Sequence, residues 1–205
     1  MSSLPSDQAA HLLNAFTSFL TVAIHSLLYH RALYPATSFL TARAHNLPVH
    51  QSRHPGVCAW VRDAVAAAEA QIRKGAARSV ALVVHAPPEQ SLAVLERWVF
   101  DLRDFPVAAS WGSSVAVDAM TTATTAAEDN GATTDAQATV SAEDEDAVNW
   151  TDVNEALRGA LSKIAYAAER SQALPEDCTF TLAVELHEQA AAPIGVSDQP
   201  RVSFL

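Results

Sequence analysis

Three histidines fall within ten residues, His45, His50 and His54, and theirs are the first side chains in this chain whose type and spacing could hold a metal ion. No Cys, Asp or Glu lies among them and Pro48 intervenes, so the spacing matches no standard site. Surface or turn histidines are the plainer reading, and a small metal-dependent enzyme built on the trio is the least favoured one. The acidic run Glu143-Asp144-Glu145-Asp146 reads as solvated charge rather than a cation site. His25 and His30 stand five apart in a helical stretch and so face different directions, as packing or solvent histidines do. Cys58 and Cys178 are 120 positions apart with no C-x-x-C spacing, which fits buried thiols better than a disulfide framework or a zinc ribbon. There is no G-x-S-x-G, no H-E-x-x-H and no Gly-rich phosphate loop, and six glycines in 205 residues are few for any nucleotide cradle. Asn149-Trp150-Thr151 fits a glycosylation pattern that has no meaning without a secretory route. The expectation is a non-enzymatic chain with no catalytic residue, metal or other cofactor.

Charge is distributed unevenly. The formal charge is −10, yet residues 107–147 contain eight acidic and no basic side chains, which leaves only −2 for the other 164 residues. The same segment has 12 Ala, seven Thr and one aromatic, Trp111, and cannot bury enough surface to offset its ordering entropy. It is expected to be a disordered acidic insert. Neither insert nor remainder offers the basic stripe that direct DNA or RNA binding needs. No run of 18 apolar residues and no basic-then-apolar leader occurs, so no membrane partner is expected and the chain should be soluble and intracellular.

The elements that must position any site follow from periodicity. Leu12, Phe16, Phe19, Leu20, Ala23, Ile24, Leu27 and Leu28 recur at spacings of three and four, predicting a long helix over 7–34 that ends at Pro35. Phe39 to Ala44 and Val49 to Ser52 predict an irregular hairpin around His45-Asn46-Leu47-Pro48. His54-Pro55 opens a second helix with Val57, Trp60, Val61, Ala64, Val65, Ala68 and Ile72 as its stripe, closed at Gly75. Strands are predicted at 79–85, 96–102 and 179–187, the last alternating Phe180, Leu182, Val184 and Leu186 against polar positions. A third helix over 148–170 carries Val153, Leu157, Ala160, Leu161, Ile164, Ala165 and Ala168. Three helices packed on a mainly antiparallel sheet make an α+β domain over 7–190. Trp98 reads as core; Trp60 reads equally as core or as an anchor for a peptide partner.

The run FLTVAIHSLLYHRALYP followed by NLPVHQSRHP resembles the opening of the HORMA-domain family, and VALVVH, LERWVFDL, ALRGALSKI and LPEDCTFTLAVEL follow in the family's order. The resemblance covers about 10–106 and 148–190 and is nearest to the branch of accessory subunits of DNA polymerase zeta. It implies a HORMA-like fold and a non-catalytic nuclear adaptor of translesion synthesis in DNA damage tolerance and repair. Its partner is then a proline-containing peptide of the catalytic subunit of DNA polymerase zeta, trapped by strand addition beneath a C-terminal "safety belt". A Y-family scaffold polymerase contacts the belt surface, and a HORMA homo- or heterodimer is a further implied partner. Spindle-checkpoint and meiotic HORMA proteins are the alternative within the same fold. By position, the resemblance assigns Trp60, Phe180, Leu182 and Val184 to peptide binding, and Arg158 and Lys163 to the HORMA–HORMA contact. After His187 only 18 residues remain, roughly 60 Å fully extended. Two strands and a wrap do not fit comfortably in that length. Residues 191–205 are therefore expected to be a short tail, with the belt truncated and peptide capture weakened.

Overall fold

The structure, a computed structural model, describes residues 4–106, 148–188 and 190. The expected disordered insert at 107–147 and the expected short tail at 191–205 lie outside the described residues, as does the question of the belt.

Helix α1, Ser6–His30, is the centre of the fold, with Leu13, Leu20, Ile24, Leu27 and Leu28 wholly buried. By length and composition α1 is apolar enough to cross a bilayer, a property the search for an uninterrupted apolar run passes over. Here more than half of its most apolar stretch is buried inside the protein. The helix does not run to Pro35. It stops at His30 because Ala32 turns left-handed (φ 51°), letting Ala32 N–H bond the Tyr29 carbonyl and Leu33 N–H the Leu28 carbonyl. That is a Schellman ending with alanine where glycine is usual.

Strands β1, Phe39–Ala44, and β2, Leu47–Ser52, form a separate two-stranded antiparallel ribbon. His45 and Asn46 alone make the turn, with φ of 48° and 58°, as a two-residue type I′ connection demands. Leu47 and Pro48, expected in the turn, are therefore strand residues, paired with Ala44 and Arg43.

Helix α2, Pro55–Arg73, starts with proline at its first position, and the His54 ring accepts a hydrogen bond from Val57 N–H at 3.4 Å. Val57, Val61, Val65, Ala68 and Ile72 form its buried stripe, and Gly75 (φ 64°) ends it. Helix α3, Trp150–Arg170, buries Leu161 and Ala168 and half-buries Val153, Leu157, Ala160, Ile164 and Ala165, the predicted face. Asn149 has a role the glycosylation pattern hides: its side-chain oxygen caps α3 by accepting from the Thr151 and Asp152 N–H groups.

Strands β3, Ala77–His85, β4, Val94–Asp101, and β5, Thr179–Leu186, form the main antiparallel sheet in the order β4-β3-β5. The inner face presents Val80, Leu82, Trp98, Phe100, Phe180, Leu182 and Val184 to one core shared with all three helices. The fold is thus α+β, three helices with antiparallel sheets, as the periodicity predicts; the hairpin is a ribbon of its own.

One polar contact ties the layers together. The Arg31 side chain, 4% exposed, donates from Nε to Glu96 Oε2 at 2.9 Å and from Nη2 to Glu96 Oε1. Its Nη1 donates to the carbonyls of Ala168 (3.0 Å) and Ser171 (3.3 Å), and Nη2 also to that of Gln172. One guanidinium therefore satisfies the carbonyl end of α3 while forking onto a carboxylate of β4, from the cap of α1. Trp98 Nε1 donates to the same carboxylate at 3.1 Å.

Burial also sets a pH dependence. His25 is 4% exposed and its Nδ1 has no hydrogen-bond partner, so burial lowers its pKa below 6.5. Burial likewise lowers His30, opposed by Glu169 at 3.1 Å, and His50, which stacks on Tyr29 at 3.4 Å. Between the lowered folded values and about 6.5 the unfolded chain binds more protons than the folded one, so stability falls as pH drops through that window. Urea titrations at pH 7.5 and 5.5 should give a lower midpoint at pH 5.5, and His25→Leu should reduce that difference.

Candidate functional site

The first half of the candidate site is a groove where the start of β5 meets the start of α2. Tyr34, His54, Gly56, Val57, Trp60 and Phe180 line an open cavity of about 340 Å³. Each is placed by a local event. Tyr34 follows the left-handed break after α1; His54 and Gly56 belong to the α2 cap and first turn; Trp60 lies one residue off the buried Val57–Val61 stripe and so points outward, 40% exposed. The Trp60 ring meets Phe180 edge-on, with centroids 4.9 Å apart at 82°, and Tyr34 meets it at 6.1 Å and 83°. Sequence reasoning places Trp60 and Phe180 here and misses Tyr34 and His54. The signal for Tyr34 is its position before Pro35, which holds it extended beyond the helix.

The second half is the outer margin of β5. In an antiparallel ladder the N–H and C=O of one residue point the same way, and successive residues alternate. Leu102 N–H bonds Arg78 C=O on one side of β3, and His187 N–H bonds Ala76 C=O on the other. With Val83 opposite Thr181 and Ala81 opposite Ala183, the odd-numbered residues of β5 spend their backbone groups on β3. Phe180, Leu182 and Val184 turn theirs outward. Among the described residues no strand pairs with that margin. Their side chains point the other way, half-buried against the core. Leu182 and Val184 can therefore offer a guest their backbone, not their side chains, while Phe180 offers its backbone and also shows its ring in the groove.

Arg158 and Lys163 are both exposed on α3. Arg158 lines an open cavity of about 560 Å³ with His45, Asn46, Thr151, Asn154 and Glu155, so the hairpin turn and the first half of α3 make one surface. The three clustered histidines do not converge: His45 is in the turn, His50 stacks on Tyr29, and His54 caps α2. Among the described residues no three His, Cys, Asp or Glu side chains gather as a metal would require. Cys58 donates to the Ser52 carbonyl at 3.1 Å; burial, then Glu96 and Asp177, raises the Cys178 pKa. Both thiols are free and half-buried.

The aromatic groove thus lies at the start of a strand margin with which no strand pairs among the described residues. A sequence profile of the HORMA domain matches residues 13–196, and the chain belongs to the HORMA-domain family, a protein-interaction adaptor fold. No curated protein sequence matches it. Among solved structures it is similar to a chain of the mitotic checkpoint complex, at 20% identity and a TM-score of 0.60, covering 94% of this chain and 84% of that one. It is also similar to C. elegans HTP-2 bound to the HIM-3 closure motif (11%, TM-score 0.58, 94% and 77% covered). C. elegans HTP-1 bound to the same motif is a further likeness (14%, TM-score 0.57, 93% and 77% covered).

Proposed function

We propose that this chain is a non-catalytic adaptor that captures an extended, proline-containing segment of a partner along the outer margin of β5. The observation that carries the reading is the pairing of that unpaired margin with the Trp60–Phe180–Tyr34 groove at its start. The outward N–H and C=O groups of Phe180, Leu182 and Val184 supply hydrogen bonds that any sequence can satisfy. Selectivity then comes from the groove, where aromatic faces favour a flat, conformationally restricted residue such as proline. The groove's walls are chiefly apolar, which suits docking.

The partner we assign is the catalytic subunit of DNA polymerase zeta, which makes the chain a nuclear adaptor of translesion synthesis and DNA repair, linked onward to a Y-family scaffold polymerase. Support comes from the blocks FLTVAIHSLLYHRALYP and NLPVHQSRHP, the second of which contains the α2 cap that shapes the groove. Arg158, beside the hairpin turn, and Lys163, both exposed on α3, are assigned to a HORMA–HORMA contact. The second reading is a checkpoint or meiotic HORMA protein, favoured by likeness to a mitotic checkpoint complex chain and to closure-motif-bound HTP proteins. Calorimetric titration separates them. A proline-containing peptide from a polymerase zeta catalytic chain should bind at least about tenfold more tightly than a peptide from an anaphase-promoting-complex activator or a meiotic closure motif. The reverse order would move the chain to the second reading, and no binding by any of the three would remove the adaptor reading itself.

A further inference from the structure

We propose that His54 is a specificity-determining residue of the peptide groove, its ring Nε2–H donating to a main-chain carbonyl of the guest beside the guest's proline. The inference rests on the adaptor reading above and names the chemistry by which that groove selects. His54 lines the groove together with Trp60, Phe180 and Tyr34 and is itself exposed. It also stands at the N-cap of α2, where serine, threonine, aspartate and asparagine are the preferred residues. The needs of the helix therefore do not by themselves account for a histidine at this position.

The cap fixes the tautomer. His54 Nδ1 accepts from Val57 N–H, so that nitrogen turns a lone pair toward the helix. A neutral imidazole carries one proton, and with Nδ1 as the acceptor the proton is on Nε2. Gly56 makes room for this pose. A Cβ placed on it would come within 3.1 Å of His54 Cε1 and 3.2 Å of Nδ1, tighter than ordinary packing, so the ring lies down over the first turn with its Nδ1–Cε1 edge inward. Nε2 is left on the other side of Cε1, and among the described residues no hydrogen bond reaches it.

The guest's chemistry follows from that donor. A proline has no N–H, so at that residue an extended segment offers only acceptors, its own carbonyl and the one before it. Most of the groove lining is ring and aliphatic surface, where a carbonyl that gives up water without gaining a donor is penalised and one that gains a donor is held more firmly than in water. The Nε2–H supplies what such a guest needs. An aspartate or asparagine cap would hold the helix equally well but would not carry a ring donor out over the first turn.

His54→Asn in the full chain tests this, because the asparagine oxygen can take over the Val57 N–H while the ring donor is lost. The urea midpoint should stay within error of the parent chain, and the dissociation constant for the proline-containing polymerase zeta peptide should rise at least about fivefold. Nitrogen-15 NMR of the parent chain gives a readout that does not depend on the variant's stability. The His54 ring should carry its proton on Nε2 without peptide, and that proton should move downfield and exchange more slowly when peptide is bound. A ring protonated on Nδ1, an Nε2 signal unmoved by peptide, or an affinity loss no larger than the loss of folding stability overturns the proposal. If Trp60→Ala weakens binding and His54→Asn does not, this inference fails and the adaptor reading stands; a parent chain that binds no such peptide removes both.

Discussion

Replacing Arg31 with alanine is expected to lower folding stability by about 3–5 kcal/mol, the range for removing one partner of a buried ion pair. The side chain is 4% exposed and Glu96 20%, so the carboxylate that is left is only partly rehydrated by solvent. The same change frees the carbonyls of Ala168, Ser171 and Gln172 at the end of α3. Arg31→Lys should recover little, because an ammonium cannot fork onto both Glu96 oxygens and reach those carbonyls together. Urea denaturation followed by circular dichroism checks it. A loss below about 1 kcal/mol would mean the clamp is no stronger than a surface pair.

The second large effect falls on binding. Trp60→Ala should weaken capture of a proline-containing peptide by about 2 kcal/mol, roughly thirtyfold, the level of a central aromatic anchor. Stability should change little, because Trp60 lies outside the buried stripe of α2. Tyr166→Ala on α3, where the ring is 62% exposed, is the matched control and should leave affinity unchanged. If both alanine variants bind like the parent chain, the groove is not where the guest's side chains dock.

How far these features are legible in the residues depends on the range of the interaction behind them. The stripes of α1, α2 and α3 and the alternation of β5 are local patterns imposed by a shared core, and they place the elements to within a few residues. The end of α1 is misplaced by periodicity because Pro35 is a visible stop, whereas the left-handed turn at Ala32 is stabilised by carbonyl pairing that no residue type advertises. The hairpin turn comes out too wide for a similar reason: Asn46 marks a turn, but the register that makes Leu47 and Pro48 strand residues is set by pairing across to β1. Trp60 falls between core and surface in the sequence because its place relative to the α2 stripe depends on where the cap begins. Arg31 cannot be found at all, since Glu96 and Gln172 are far from it in the chain. The alternation of β5 identifies Phe180, Leu182 and Val184, but which way their backbone groups point follows only from the register with β3.

Amide hydrogen exchange on β5, measured free and saturated with the proline-containing peptide, reaches the central claim most directly. The N–H groups of Phe180, Leu182 and Val184 should exchange quickly in the free protein and slow by at least about tenfold on binding, while those of Thr181 and Ala183, already bonded to β3, should change little. If the three outward amides are already slow without peptide, or stay fast with it, the margin of β5 is not where the guest chain adds.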